Sequence, residues 1–187
     1  MQKIPNHKFI ILDRDGVINF DSDKYIKSPD EWRAIPGSLE AMAQLNQAGF
    51  NIIVISNQSG IGRGFYTLKD FEATNQKMMR ELKEVGGEIK KIYFCPHVAE
   101  DHCDCRKPKP GMLLQAVKEF GFDLKETFFI GDKQSDYLAA KTAGCDFILV
   151  KTGYGKEMLQ KHSEIKKQAM VAKDLQEAVR IVIQKST

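Results

Sequence analysis

Two aspartates that directly follow an apolar stretch are the first residues whose types and spacing could do chemistry. The stretch 9–12 leads into Asp13 and Asp15, with Arg14 between them and Gly16 behind them. A carboxylate can attack a phosphate ester when a divalent cation, typically Mg2+, cancels the repulsion between the two anions. The pattern makes Asp13 a candidate nucleophile, and Asp15 a candidate acid/base that protonates the leaving oxygen and later activates water. A solvated turn or the metal site of a sugar transferase is the alternative interpretation.

A second group of candidate residues follows the next apolar stretch. Ser56 and Asn57 could offer a hydroxyl and an amide to a phosphoryl oxygen. The run GIGRG that comes next has glycines at 60, 62 and 64, which would let the backbone approach an anion. An ordinary glycine-rich turn is the alternative interpretation.

Fixed positive charge and two further carboxylates follow later in the chain. Arg106 and Lys107, in CRKPKPGM, could stabilise the negative charge on a transferring phosphoryl group, or they could be an exposed pair of charges. Asp132, in GDKQSD, ends another apolar stretch and could complete a magnesium site opposite Asp13. Asp136 lies one helical turn further on, and it could either hold a metal-bound water or cap a helix.

Three cysteines and a histidine lie close together between the second and third of these groups. Cys95, His97, Cys103 and Cys105 offer the closed tetrahedral ligand set of a structural zinc ion. Such an ion would fix the stem of the loop that carries the two cations behind the last cysteine. Two alternatives remain open, in which His102 replaces one ligand or the cysteines have a redox role without metal.

Apolar runs separated by longer helical stretches must position these groups. This alternation predicts an α/β fold with a parallel sheet, in which ligands collect beyond the carboxyl ends of the strands. The residues that could do chemistry follow several of these runs. The predicted strands are 9–13, 52–56, 91–94, 127–131 and 147–150.

Helices are predicted between the strands. The first begins near Pro36 and Ser38, and it ends at Gly49, a residue that can adopt the left-handed terminating conformation. Residues 152–172 are polar enough to form a surface loop or a weakly held helix. The predicted buried residues are Leu39, Met42 and Leu45 in this helix, Leu113, Leu114, Val117 and Phe120 in a helix at 110–121, and Leu138, Ala140 and Ala143 in one that ends at Gly144. Further helices are predicted at 68–85 and 175–183.

Composition and charge favour one globular unit. The 187 residues are 42% hydrophobic and 28% charged, which predicts a single domain over 1–187. The net charge of +3 is spread along the chain, so we expect no nucleic-acid partner. Apolar runs are too short to cross a membrane, and the leading stretch MQKIPNHK precedes too few apolar residues for a secretory signal. We therefore expect a cytoplasmic monomer without membrane association. The remaining cysteine, Cys145, is expected to be a small buried hydrophobic residue.

The order of the four polar groups is similar to that of a known superfamily. DxDG, then Ser-Asn, then Lys, then GDxxxD resembles the haloacid dehalogenase (HAD) phosphatases over about 9–150. The resemblance implies a three-layer Rossmann-like sheet. The implied roles are nucleophile for Asp13, general acid/base for Asp15, phosphoryl stabilisation for Ser56 and Lys107, and Mg2+ binding for Asp13, Asp132 and the backbone carbonyl of Asp15.

The short interval between Asp15 and Ser56 already holds a helix and a strand, which leaves no room for an inserted cap domain. We therefore expect an open site whose specificity comes from loops. Several cations around such a site suit a small phosphorylated sugar with a second anionic group. The candidate substrate contacts are Asp21, Tyr25, Asn57, Gln58, Ser59, Arg63, Arg106 and Lys133.

Most of the chain also resembles one phosphatase family. DRDGVIN, SPDEW, PGSLEA, SNQSGIGRG, the cysteine-rich loop and CRKPKPGM are similar to the bacterial heptose-1,7-bisphosphate 7-phosphatases. This resemblance implies hydrolysis of the 7-phosphate of D-glycero-D-manno-heptose 1,7-bisphosphate, within the supply of ADP-heptose for lipopolysaccharide core.

Three alternatives stay open. Histidinol-phosphate phosphatases share the zinc loop with the same five-residue interval, although their motif lacks GIGRG. Polynucleotide 3′-phosphatases carry a comparable NQxGIxRG stretch, but neither the zinc cluster nor a basic stripe fits them. A phospho-accepting receiver module uses similar residues to signal, but Asp15 supplies the proton transfer that such a module does not need.

Overall fold

Six parallel strands form the centre of the fold in the computed structural model, which describes residues 8–186. The strands are β1 (Lys8–Leu12), β2 (Phe50–Asn57), β3 (Lys91–Cys95), β4 (Phe128–Gly131), β5 (Asp146–Val150) and β6 (Met170–Ala172), in the order β3-β2-β1-β4-β5-β6. The first five confirm the predicted strands. The sixth was not predicted, because its three residues lie in the polar stretch that we assigned to a loop or helix.

Helices cover both faces of the sheet. They are α1 (Ser38–Gln47), α2 (Ser59–Gly62), α3 (Leu68–Glu84), α4 (Gly111–Phe120), α5 (Gln134–Ala143), α6 (Gly155–Lys161), α7 (Ser163–Gln168) and α8 (Leu175–Lys185). Side chains of α1, α3 and α8 bury one face of the sheet, and side chains of α4, α5 and α7 bury the other. This three-layer α/β arrangement is the predicted fold class, and it explains why the central strands are apolar on both faces.

Helix α4 shows where the sequence pattern was wrong about burial. Leu113 is buried as predicted, and Val117 and Phe120 are partly buried, but Leu114 is 52% exposed. Successive residues of a helix are about 100° apart, so Leu114 points away from the sheet that Leu113 contacts. Met112 and Ala116 fill the buried face in its place.

The structure confirms the burial predicted for helix α1 and, in part, that predicted for helix α5. Leu39, Met42 and Leu45 are buried in α1, and Gly144 ends α5 with φ of 80°. Ala140 is buried in α5, while Leu138 and Ala143 pack partly buried against the same cluster. Cys145 is buried as a small hydrophobic side chain, as predicted.

The chain between Asp15 and Ser56 forms a single 3-10 turn (Pro29–Glu31), α1 and most of β2. Because this interval is short and fully described, it contains no inserted cap domain, as predicted. No helix within residues 8–186 is both long and apolar enough to cross a membrane. Residues 1–7, which hold most of the leading stretch assessed as a signal, lie outside the described residues.

Candidate active site

The polar groups predicted from the sequence meet at the carboxyl edge of the sheet. Asp13 follows β1, Ser56 lies near the end of β2, and Asp132 follows β4. Lys107 reaches the same place from the loop after β3, and its Nζ lies 2.9 Å from Asp13 Oδ1 and donates to the carbonyl of Ile55 at 2.9 Å. Separate stretches of chain therefore surround one small volume.

Lys107 is the buried cation of this cluster. Its side chain is 3% exposed, and its Nζ lies 2.7 Å from Asp136 Oδ1. Burial acts to lower the pKa of Lys107, but the carboxylates of Asp13 and Asp136 outweigh it and raise that pKa above its ordinary value. The ammonium group therefore stays charged.

Asn57 fixes the backbone that carries this lysine. Its Nδ2 donates to the carbonyl of Lys107 at 2.9 Å, and the amide N–H of Lys107 donates to Asn57 Oδ1 at 3.1 Å. Both polar atoms of the Asn57 side chain thus form hydrogen bonds within the protein. Asn57 also lies in the wall of the cavity described below.

Three carboxylates form a candidate cation site. Asp13, Asp132 and Asp136 each bring a carboxylate oxygen within 4.8 Å of the others. Asp132 Oδ2 accepts from the amide of Tyr154 at 2.8 Å, whereas the buried Oδ1 has no hydrogen-bond partner among the described residues. Burial raises the pKa of Asp13 to about 6 and that of Asp132 well above its ordinary value. A divalent cation would satisfy the orphaned oxygen and hold these groups ionised.

Two glycines make room beside Asp132. A Cβ on Gly16 would lie 2.2 Å from Asp132 Oδ2, and a Cβ on Gly153 would lie 2.1 Å from the same atom. Their φ angles of +88° and +53° also disfavour larger residues. The backbone of Gly16 therefore lies close to this carboxylate, which is the candidate magnesium ligand predicted from the sequence.

Asp136 has the capping role that was one of the two alternatives allowed by the sequence. Its Oδ2 accepts from the amides of Asp132 at 3.2 Å and Lys133 at 3.0 Å, at the start of α5. Its Oδ1 pairs with Lys107. The capping role is thus observed, together with an ion pair that the sequence did not suggest.

Asp15 is held by Arg14, which the sequence analysis did not assign to the site. Arg14 is 1% exposed, and its Nε and Nη2 donate to the two carboxylate oxygens of Asp15 at 3.0 Å each. Asn19 donates to the same carboxylate at 2.9 Å. Burial acts to raise the pKa of Asp15, but Arg14 and Asn19 together lower it below its ordinary value. The position of Arg14 between two aspartates, directly after an apolar stretch, is the sequence signal that could have assigned it to the site.

A cavity of about 600 Å³ opens beside these residues. Tyr66 and Tyr154 also line it, although neither was predicted. Arg63 is exposed after α2 and is not among the lining residues, so the structure does not bring this candidate to the cavity. The predicted residues in the wall are Asp15, Asp21, Tyr25, Asn57, Gln58, Ser59, Arg106, Lys107 and Lys133.

Ionic contacts tie the loops around the cavity together. Lys133 Nζ lies 2.7 Å from Asp21 Oδ2 and 5.2 Å from the ring centre of Tyr154. The Tyr154 hydroxyl donates to Asp23. Burial acts to lower the pKa of Lys133, but Asp132 and the other nearby carboxylates raise it, so a second permanent cation faces the cavity.

Two of the glycines of GIGRG allow close packing of other parts of the protein. A Cβ on Gly60 would lie 2.2 Å from the ring of Tyr66, and one on Gly62 would lie 2.6 Å from the carbonyl of Pro96. Gly64 has φ of +74° and open space around it, as in a turn. The amides of Gly62 and Gly64 donate within the protein, to the carbonyls of Pro96 and Ile61 at 3.0 Å each, and an approach of the backbone to an anion stays a prediction.

The cysteine-rich loop brings its four predicted ligands together. Cys105 Sγ lies 3.2 Å from Cys95 Sγ, 3.5 Å from Cys103 Sγ and 3.3 Å from His97 Nδ1. Burial raises the pKa of Cys95 to about 12, so a thiolate there needs a cation beside it. The donor set fits tetrahedral zinc. His102 is exposed and does not belong to the group, so His97 is the histidine that could serve.

The sheet and the groups at its carboxyl edge define a HAD-like hydrolase. A family model described as HAD-hydrolase-like matches residues 104–178. The chain belongs, more narrowly, to the family of D-glycero-beta-D-manno-heptose-1,7-bisphosphate 7-phosphatases. The relative so named from Pseudomonas aeruginosa is 51% identical over 156 residues, which are 83% of this chain and 88% of the relative. The relative from Neisseria meningitidis serogroup B is 43% identical over 96% of this chain and 97% of its own.

Solved structures agree with this assignment. The D,D-heptose 1,7-bisphosphate phosphatase of B. bronchiseptica, complexed with magnesium and phosphate, has a TM-score of 0.92 at 42% identity, over 95% of this chain and 99% of that chain. The enzyme of the same name from Burkholderia thailandensis has a TM-score of 0.74 at 36% identity, over 93% and 97% of the two chains.

Proposed function

We propose that this protein is a Mg2+-dependent phosphatase that removes the 7-phosphate of D-glycero-D-manno-heptose 1,7-bisphosphate through an aspartyl-phosphate on Asp13. The observation that carries the chemistry is the convergence of Asp13, Lys107 and Asp132 at one sheet edge, where one oxygen of Asp132 has no hydrogen-bond partner within residues 8–186. The family to which the chain belongs carries the choice of substrate.

The contacts of Asp13 select its attacking atom. Asp13 Oδ1 accepts from the amide of Arg14 at 2.8 Å and lies 2.9 Å from Lys107 Nζ. Oδ2 is therefore the oxygen left to attack phosphorus. When bound, Mg2+ would offset the negative charge of the phosphate beside the attacking carboxylate.

The remaining groups divide the other tasks. Lys107 and the Ser56 hydroxyl stabilise the oxygens of the transferring phosphoryl group. Asp15 exchanges protons with the leaving oxygen and then with the attacking water. The lowered pKa of Asp15 suits the abstraction of a proton from water directly. For the donation to the leaving oxygen, the same lowered pKa requires that Asp15 gain its proton only when the phosphate dianion lies beside it.

The cavity supports a substrate with a second anionic group. Arg106 and Lys133 are cations in its wall, and Asp21, Tyr25 and Ser59 offer polar groups for sugar hydroxyls. We infer that these residues contact the part of the substrate that is not hydrolysed. We also infer that the protein acts as a cytoplasmic monomer, without nucleic-acid or membrane partners.

A comparison of substrates tests this function. Phosphate release is measured with both anomers of heptose 1,7-bisphosphate, with histidinol phosphate and with a 3′-phosphorylated oligonucleotide. We expect kcat/KM for the heptose to exceed the others by a hundredfold or more, which is about 2.7 kcal/mol in transition-state free energy. A higher value for histidinol phosphate or for the oligonucleotide would assign the chain to that activity instead.

Variants of the two aspartates test the mechanism. Asp13→Asn is expected to abolish turnover, whereas Asp15→Asn is expected to slow it, because only the first forms the covalent bond. Asp30→Asn changes an exposed aspartate outside the site and serves as the matched control. Phosphate release at the normal rate from Asp13→Asn would end the nucleophile assignment, and a phosphorylated protein that is never hydrolysed would indicate a receiver module.

A further inference from the structure

Gln58 lies buried between Asp15 and Ser56, two of the groups proposed to act on the phosphate, at the wall of the cavity. It is 3% exposed. Its Nε2 donates to Asp15 Oδ2 at 2.9 Å and to Ser56 Oγ at 2.8 Å. Its Oε1 accepts from Arg14 Nη2 at 3.2 Å and from the Tyr66 hydroxyl at 2.6 Å. Both donors and both lone pairs of the amide are therefore used.

The chemistry of these neighbours allows only one orientation of the amide. A guanidinium group can only donate, so Oε1 must face Arg14. An ionised carboxylate can only accept, so Nε2 must face Asp15. A flipped amide would place donor against donor at one end and acceptor against acceptor at the other. The orientation of Gln58 is thus fixed by charge as well as by packing.

This orientation decides what the Ser56 hydroxyl can do. A serine hydroxyl has one proton to donate and two lone pairs. Because Gln58 donates to Ser56 Oγ, one lone pair is occupied and the proton remains available for another acceptor. In the proposed reaction that acceptor is a phosphoryl oxygen, whose negative charge a hydroxyl donor stabilises. The same amide nitrogen also links Ser56 to Asp15.

We propose that Gln58 is a positioning residue that keeps the Ser56 hydroxyl as a donor to the transferring phosphoryl group and holds Asp15 beside it. Arg14 and Tyr66 fix the direction of its amide. The inference rests on the proposed function only in that Asp15 and Ser56 act on a phosphate ester. It does not depend on which phosphate ester is the natural substrate.

Replacing the amide nitrogen of Gln58 by an oxygen tests whether Gln58 must donate hydrogen bonds to Ser56 and Asp15. Gln58→Glu keeps the shape of the side chain, and its oxygens can still accept from Arg14 and Tyr66, but it puts an acceptor where Ser56 and Asp15 require a donor. Gln58→Met removes the polar group altogether. We expect both variants to lower kcat by about tenfold to a hundredfold, part of the 10²–10³ associated with loss of a transition-state donor. We also expect KM to change by less than about threefold, with Glu no better than Met.

The assay uses p-nitrophenyl phosphate with saturating Mg2+, so that it requires phosphatase activity but no preference for heptose. Gln76→Glu makes the same chemical change on the exposed face of α3 and is expected to leave kcat unchanged. A purely structural role for Gln58 predicts the reverse order, in which Gln58→Glu is nearly normal and Gln58→Met is impaired. That order would overturn the proposal.

A double-mutant cycle with Ser56→Ala provides the second measurement. If Gln58 acts through the serine hydroxyl, Gln58→Met is expected to cost less than about fivefold in the Ser56→Ala background, whatever its larger cost alone. Equal losses in both backgrounds would contradict the proposal. If Gln58→Met does not fold, as judged by its thermal transition, Tyr66→Phe replaces it in the cycle, because it removes one donor that orients the amide. A wild type that hydrolyses p-nitrophenyl phosphate without preferring heptose bisphosphate would refute the substrate assignment alone.

Discussion

Replacing Lys107 by methionine should cost both stability and activity. The substitution keeps an unbranched side chain of similar length but removes the ammonium group. Asp13 and Asp136, which lie 2.9 Å and 2.7 Å from Lys107 Nζ, then lose their shared cation within the protein. Asp132 adds a third carboxylate to the same group. Without Mg2+, the variant would bury several carboxyl groups with no positive charge between them.

The size of this effect follows from the burial of the pair. Lys107 is 3% exposed, so solvent screens its interactions little. Removing one partner of a buried ion pair costs about 3–5 kcal/mol. For a chain of this length each kcal/mol lowers Tm by about 2–4 °C, so we expect a decrease of roughly 6–20 °C. Because Lys107 is also proposed to stabilise the phosphoryl group, kcat should fall by about 10²–10³.

Urea unfolding in Mg2+-free buffer measures the loss, with no chelator present so that zinc is retained. Lys109→Met is the matched control, since Lys109 pairs with the exposed Asp104 in the same loop. An exposed pair contributes about 0–1 kcal/mol, so this control should remain near the wild type. Adding Mg2+ should restore part of the stability of Lys107→Met, and Asp13→Asn in the same chain should do likewise. A loss below about 1 kcal/mol, equal to that of the control, would refute the charge argument.

Three further outcomes are expected. Because burial raises the pKa of Asp13 to about 6, protons compete with Mg2+ below that pH, and calorimetry should show about tenfold weaker binding at pH 5 than at pH 7 for displacement of this proton; equal affinities would contradict this. Removal of zinc should lower Tm and kcat reversibly, because the cysteine loop leads into Lys107. A content below about half an equivalent of zinc in the purified protein would count against the site. Gly153→Ala should weaken Mg2+ binding by at least about tenfold, because its Cβ would lie 2.1 Å from Asp132 Oδ2, whereas Gly49→Ala, with no described atom beyond its chain neighbours within 4 Å of its Cβ, should not.

The sequence predicted the sheet and the convergence of the site well because both depend on local patterns. Asp13, Ser56 and Asp132 each end or directly follow an apolar run, and parallel strands bring their carboxyl ends to one edge. Cys95, His97, Cys103 and Cys105 were also predictable as a group, since ligands so close in sequence must be close in space.

What the sequence could not provide was the partner of each side chain. Asp136 was undecided between capping and metal binding, because its pairing with Lys107 joins residues that are far apart in the chain. The hydrogen bonds of Gln58 with Arg14 and Tyr66 were missed as well, because neither neighbour was assigned to the site from the sequence. Strand β6 was missed because three residues are too few to show a pattern.

The turns on the far side of the sheet have a practical consequence for handling the protein. Gly49, Gly86, Gly121 and Gly144 follow four helices and precede β2, β3, β4 and β5, at the amino ends of these strands. Each has a positive φ, and beyond its chain neighbours no atom of residues 8–186 lies within 4 Å of the position that a Cβ would take there. Affinity tags, fluorescent labels or anchors for surface immobilisation inserted at these turns would lie at the opposite edge from the reacting groups. Comparable insertions after β1 or β4 would enter the cavity itself.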